Sequence, residues 1–527
     1  MFSNFVNYKV KIRPDSYKTK KGLVFETTAS ISFLDDNKKE LAYFDLAYLD
    51  VEVIYKKIDQ GEAIIFDECY IENFSLSEYR KSRGIDDDAI VTLTDFSAKG
   101  TFFDAKIETD FSFAKFLGDD ISFEETRFIN GSVSFQKAQF PLGNKNFTNI
   151  IFKNGEVDFS NANFIGGKVD FKNSIFFDGI KNFQYTNFGE GSVSFINTEF
   201  GKGEVNFINT NFGKGDVSFK VARFNAGKID FQFAQFGEGD ISFERTEFGD
   251  GKVDFRKVEF AQGKVNFNRS LFGAGDVTFE ASELKESRMT FKKTDFGDGN
   301  LFFEEVEYST SEVLFENALF GKGNVYFGKS LFKKLSLISC HLNQYFDFRV
   351  AHCEYLDLSD TIARDIVDFS PYDYKVGIDC LNLSGMRLIG QIYIDWYENN
   401  VQEIIQRQED TGHAEKAEQF RILKENYGRI GNYKFEDLAY IQFKRNEQKA
   451  ELNIALKKSK LNALWQLPLY GFKLVVIDRM GLYATSPARV ISSLIIVYFT
   501  FSMIYVLFPF FLDTSITCID VESGFFS

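Results

Sequence analysis

Residues 200–219 read FGKGEVNFINTNFGKGDVSF, and both FGKG and the V-x-F that follows it occur twice, twelve residues apart. The period reaches far beyond this stretch. Stepping forward from Phe111 by twelve meets phenylalanine at every stop to Phe327, nineteen rings in register. A second series lies five residues after the first, from Phe116 to Phe332, and is broken only by Leu284 and Tyr308. The phrase is V-x-F-x-x followed by A/T/S-x-F-G-x-G-x. Of the 527 residues, 64 are Phe, a load that an ordinary globular core has no use for but a periodic stack can place.

Two residues before the rings of the first series stand Val193, Val205, Val217, Ile229, Ile241 and Val253, and the residue between is small and polar, as at Ser194, Asn206, Ser218 and Asp230. That alternation is a strand with i−2 and i inward and i−1 outward. Before the second series the i−2 residue is small: Thr198, Thr210, Ala222, Ala234, Thr246. G-x-G then ends each run, so the strands are only about three residues long. Short strands at this regular spacing predict a mostly β chain built as a solenoid. Its core ladder is read as Phe195, Phe200, Phe207, Phe212, Phe219, Phe224, Phe231, Phe236, Phe243 and Phe248. A twelve-residue turn has two faces and too little interior for these rings, whereas a 24-residue turn with sides of five, seven, five and seven gives each column its own wall. Rings one layer above and below then complete the core, each pair adding ~0.5–1.5 kcal/mol beyond burial.

A small residue at i−2, Asp, Asn, Ser or Thr at i−1, a bulky apolar residue at i and a five-residue step resemble the pentapeptide-repeat proteins. The resemblance implies a right-handed quadrilateral β-helix over roughly residues 100–395. Its later part follows the plain five-step through Leu337, Leu342, Phe348, Cys353, Leu358, Ala363, Phe369, Leu383, Leu388 and Ile394, while the G-x insertion in every second repeat of the earlier part departs from the family pattern. The expected organisation is an N-terminal β-rich cap (1–98), the solenoid (99–396), a helical linker (397–488) broken near Gly428 and Gly431–Asn432, and a membrane helix with a short extracytoplasmic tail (489–527).

The net charge of −15 argues against a general nucleic-acid binder, which needs clustered Lys and Arg. Some pentapeptide-repeat proteins mimic DNA toward topoisomerases, which would require a dense acidic face; between Phe111 and Phe332 the net charge is only about −6. The five cysteines, Cys69, Cys340, Cys353, Cys380 and Cys518, include no C-x-x-C pair and fit a reducing compartment. Cys340–His341 and His352–Cys353 invite a zinc reading, but the register turns both thiols inward and both imidazoles outward. The G-x-G runs at 201–203, 213–215 and 237–239 lack a following helix and a G-K-[ST], so they read as corners rather than phosphate loops. With three His in the chain, no Ser-His-Asp or Cys-His grouping stands out. No catalytic, cofactor or metal residue is expected, and the protein is read as non-enzymatic.

The N-terminus has no signal-peptide core. Val490–Leu512, VISSLIIVYFTFSMIYVLFPFFL, is 23 residues without a charge, enough for one transmembrane helix. Lys457, Lys458, Lys460, Lys473, Arg479 and Arg489 precede it and Asp513, Asp520 and Glu522 follow, which places the solenoid in the cytoplasm. The stretch from FRILKENYGRIGNYKFEDLAYIQFKR through YGFKLVVIDRMGLYATSPARV to the span resembles bacterial proteins that join pentapeptide repeats to a two-helix potassium-channel-like pore. Pores of that kind assemble from several subunits, so a homo-oligomer is compatible with it. The filter glycines and second span of such pores do not occur before Ser527. The expected function is a cytosolic scaffold or sensor on the first helix of an ion-channel-like protein of the inner (cytoplasmic) membrane. A topoisomerase-binding mimic and a tethered spacer are the rivals.

Overall fold

The computed structural model describes residues 7–371, 373–458 and 460–511. They fall into two compact units that meet in sequence between Gln408 and Glu409.

The first unit opens with three antiparallel strands, Asn7–Arg13, Thr28–Leu34 and Glu40–Tyr48. Their alternation buries Ala29, Ile31, Phe33 and Leu46 against Tyr70, Phe102 and Ile129. The third strand then pairs in parallel with Cys69–Glu72, and that strand with Phe102–Asp110. The antiparallel sheet thus continues into the stacked walls and covers a strand edge that would otherwise lie open. Helix α1 (Val51–Gln60) is capped by Asp50, which accepts from the Glu52 amide, and α2 (Leu76–Arg83) by Ser75, which accepts from the Glu78 amide.

Next comes a β-solenoid of about 14 turns with coils of about 24 residues. Parallel pairing links residues one coil apart: Val193 with Val217, Phe200 with Phe224, Val205 with Ile229 and Phe236 with Phe260. The mostly β reading and the 24-residue coil are both borne out. Each coil has four short walls, and at two of its corners the second residue after the V-x-F ring takes a left-handed conformation and turns the chain. Asn149, Asn161, Asn173, Asn197 and Asn209 hold φ between 54° and 59° there, and so do Val221 and Phe233 at 59° and 58°. Glycines are therefore not the only residues that supply positive φ at the corners.

Near the C-terminal end the coil shortens locally, before the last coil, which pairs Leu356 with Leu381, returns to a step of 25. Val325 pairs with Phe346 and Leu335 with Leu356, a step of 21 residues. The glycine corner found at Gly237 to Gly239 has no counterpart between Phe332 and Leu335, and Leu331–Ser336 runs as one continuous strand. Helix α3 (Val401–Gln406) ends the unit, burying Val401, Ile404 and Ile405. The Asn399 side chain donates to the Phe369 carbonyl at 3.0 Å, and the Gln408 side chain donates to the Leu381 carbonyl.

The second unit begins with a helical hairpin, α4 (His413–Arg429) and α5 (Tyr433–Lys458), turned at Gly431 with φ 75°. Phe420, Leu423 and Tyr427 are buried, and Tyr427 meets Phe435 edge-on at 5.5 Å. Helix α6 (Lys460–Phe472) runs into a π-helical stretch, Lys473–Met480, and α7 (Pro487–Phe511) follows. The expected tail, with Asp513, Cys518, Asp520 and Glu522, lies outside the described residues, as does Leu512 at the end of the expected span.

Candidate functional site

The ten ladder phenylalanines all lie inside the solenoid: Phe224 is 3 % and Phe236 2 % exposed, and the other eight 0 %. Four columns result. Phe183, Phe207 and Phe231 stack at 4.9 and 4.8 Å, and Phe195, Phe219 and Phe243 at 4.9 and 5.0 Å, with planes within 11°. Between these two columns the rings meet edge to face, Phe207 to Phe219 at 5.6 Å and 82°, Phe219 to Phe231 at 5.8 Å and 89°. Phe200–Phe224–Phe248 and Phe188–Phe212–Phe236 form the other two columns. The two central columns form a continuous herringbone in which each ring uses both favoured aromatic geometries, while Phe200, Phe224, Phe236 and Phe248 stack along their columns and meet the central rings at a tilt.

The small residue before the second ring has a definite task. Thr186, Thr198, Thr210 and Thr246 donate their hydroxyls to the carbonyls of Phe159, Phe171, Phe183 and Phe219 at 2.7–2.8 Å. Each of these interior carbonyls also accepts the backbone amide three residues on, from Ala162, Ser174, Thr186 and Ala222, so the hydroxyl supplies the second hydrogen bond of a buried turn carbonyl. The polar i−1 residue also works locally: Asn206, Asp230 and Asp254 accept from the amides of Ile208, Gln232 and Arg256 at 3.0–3.2 Å, fixing the corner as an Asx turn. Glycine serves close approach as much as φ. A Cβ at Gly213 would lie 1.3 Å from the Gly189 carbonyl oxygen, and one at Gly239 within 2.4 Å of Gly215, although only the former has positive φ.

Two positions break the Val/Ile column in a way that sequence reading missed. Lys145 and Lys181 occupy inward i−2 sites and are 0 % and 1 % exposed. Lys181 Nζ donates to the Lys202 carbonyl at 2.9 Å, and Lys145 Nζ to that of Gly166. Burial pushes both amines down to about 8, against a small opposing pull from Asp178 and Asp120. The signal was present as K-N-F where V-x-F is the rule.

Outside, charges pair between layers. Lys220 meets Glu244 at 2.7 Å, Arg288 meets Glu312 at 2.6 Å, Lys292 meets Glu316 at 2.8 Å and Lys322 meets Asp298 at 2.5 Å. Where the coil narrows, wide corners beside narrow ones leave an open groove of about 840 Å³ lined by Lys264, Glu286, Arg288, Glu312, Lys333 and Glu354 among others. Its charges alternate in sign, so it presents no single-sign field.

The Cys340 and Cys353 thiols are fully buried, with Cys340 Sγ 2.6 Å from the Phe315 carbonyl. His341 is exposed and His352 lies 3.7 Å from Asp379, so thiols and imidazoles point apart as the register requires. Among the described residues no group of three or more His, Cys, Asp and Glu side chains converges as a metal site would.

Pro487–Phe508 of α7 is 22 residues of predominantly apolar helix, with none of its most apolar window buried. At 1.5 Å per residue this is about 33 Å, long enough to cross ~30 Å of hydrocarbon. No family model, curated protein or solved structure matches the chain.

Proposed function

We propose that this protein is a non-enzymatic, membrane-tethered scaffold or sensing arm of the pentapeptide-repeat type, whose α7 is the first membrane helix of a channel-like protein of the potassium-channel kind. The observation that carries the reading is α7 itself. Ile491, Leu494, Ile496, Phe499, Phe501 and Tyr505 are each at least half exposed, and a soluble helix does not leave so wide an apolar surface in water. The solenoid supports the arm part of the reading: its rings are locked layer on layer, and its surface charges pair between layers, with those round its groove alternating in sign. Arg479 and Arg489 on the N-terminal flank favour a cytoplasmic solenoid in the inner membrane.

Membrane fractionation tests the tether. The full chain is expected in membranes resistant to alkaline carbonate, with the solenoid released by protease only from the cytoplasmic face, and deletion of 487–511 is expected to free the whole chain. A full chain that stays in the soluble fraction overturns the reading. The channel part is tested separately by the genomic reading frame after Ser527: a glycine-rich filter and a second apolar span support it, and an immediate stop codon removes it.

A further inference from the structure

The helix before α7 is inside out. Leu467, Leu469, Phe472, Val475, Val476 and Ile477 are 38–57 % exposed, six large apolar side chains within eleven residues. Two of the three charges of Lys473–Met480 are turned to α5 instead, while Arg479 is exposed: Lys473 Nζ meets Glu451 at 2.9 Å, and the buried Asp478 carboxylate takes both Nε and a terminal nitrogen of Arg445 at 2.8–3.2 Å. A surface helix in water does the reverse, packing its apolar stripe inward and its charges outward. An exposed apolar patch of this kind marks an interaction surface.

Its occupant follows from what it is joined to. Ser493 Oγ, on the first turns of α7, donates to the Met480 carbonyl at 2.8 Å, which holds the end of the π-helical stretch against the start of the apolar helix. Whatever covers α7 begins at the edge of this patch. We propose that α6 and the Lys473–Met480 stretch lie in the membrane interface, with Phe472 and its apolar neighbours seated among the upper acyl chains and α5 riding on the cytoplasmic side. The partner is thus the bilayer at its headgroup boundary, entered to a depth of about 5–10 Å, and α6 is an in-plane float and not merely a spacer between hairpin and span. This rests on the tether reading of α7.

The test uses the full chain with Cys518→Ser, whose four other cysteines are buried, reconstituted in phosphatidylethanolamine/phosphatidylglycerol vesicles. A nitrobenzoxadiazole label is placed singly by Phe472→Cys, Val476→Cys, Phe501→Cys or Glu425→Cys. The expected result is blue-shifted emission at 472 and 476, quenched more by a nitroxide near the headgroup than by one deep in the acyl chain, with the reverse order at 501 and water-like emission at 425. Water-like emission at both 472 and 476, with 501 still quenched by the deep nitroxide, overturns the proposal and leaves the tether standing. So does apolar emission at 472 and 476 that no lipid nitroxide quenches, which would mean that protein covers the patch. Water-like emission at 501 overturns the tether reading and this inference together.

Discussion

Val221 is the residue at which the repeat is least at ease. It is β-branched and held at φ 59°, a conformation that Asn tolerates far better than Val. It also stands one coil after Asn197, whose side-chain amide donates to Asn173 at 3.0 Å, as Asn173 does to Asn149 at 3.3 Å. Val221→Asn relieves the strain and extends the amide column, so it is expected to raise stability by about 1 kcal/mol, read as a higher denaturant midpoint with an unchanged slope. Lys181 offers a second, pH-dependent test. Burial lowers its amine from an ordinary 10.5 to about 8, so the unfolded chain holds that proton to higher pH than the folded one. The buried charge therefore destabilises the fold fully below pH 8, and the loss is recovered as pH rises through 8 toward 10.5. Lys181→Met keeps the stem and removes the charge: it should stabilise the fold by roughly 1–3 kcal/mol at pH 7, with the gain shrinking steadily toward pH 10.5. A difference between the two proteins that does not change with pH would mean that Lys181 keeps an ordinary pKa.

At the scale of the coil, the sequence was legible where one residue type repeats at one spacing. Phe at every twelfth position defines inward columns with no alternative, because slipping by one residue would turn every ring to solvent. The turn was harder to read. Its left-handed residue follows the ring by two and is Asn, Val, Phe, Arg or Lys in different coils, since its side chain points outward and only its backbone is constrained. The buried lysines were hidden for the opposite reason: a long stem fills an inward site while its amine reaches a corner carbonyl. The four walls also explain what the coil should tolerate. Sides of five, seven, five and seven repeat after half a turn, so deleting residues 205–228 or only 205–216 brings a V-x-F wall over a matching wall. Both deletions are expected to retain the β circular dichroism and cooperative unfolding of the parent. Deleting 205–209 removes one wall, sets a corner over a ring column and should abolish cooperative unfolding. Equal damage from the twelve- and five-residue deletions would rule out two equivalent half-coils.

At the scale of the whole chain, the contrast between the two units sets the order in which the molecule comes apart. The solenoid gains stability from every layer, each bound to the next by ring stacking and parallel hydrogen bonds, and a repeat array of about 14 turns adds these nearest-neighbour terms along its length. The second unit has a two-helix core around Phe420, Leu423, Tyr427 and Ala439, far too small to match it. Between them Glu409 and Asp410 are exposed, and neither lies in a helix or strand. That boundary was not visible in the sequence, where the change from β to helical period at Trp396 marks the last wall, while α3 beyond it belongs to the first unit. In detergent, cleavage at Glu409 by a glutamate-specific protease should leave a resistant fragment ending there. Calorimetry of the full chain should show two transitions, and the isolated resistant fragment only the upper one, unchanged. A single transition abolished as a whole by the cut would mean that the hairpin and the solenoid fold as one cooperative body, and the nearest-neighbour account of the rod's stability would then be wrong.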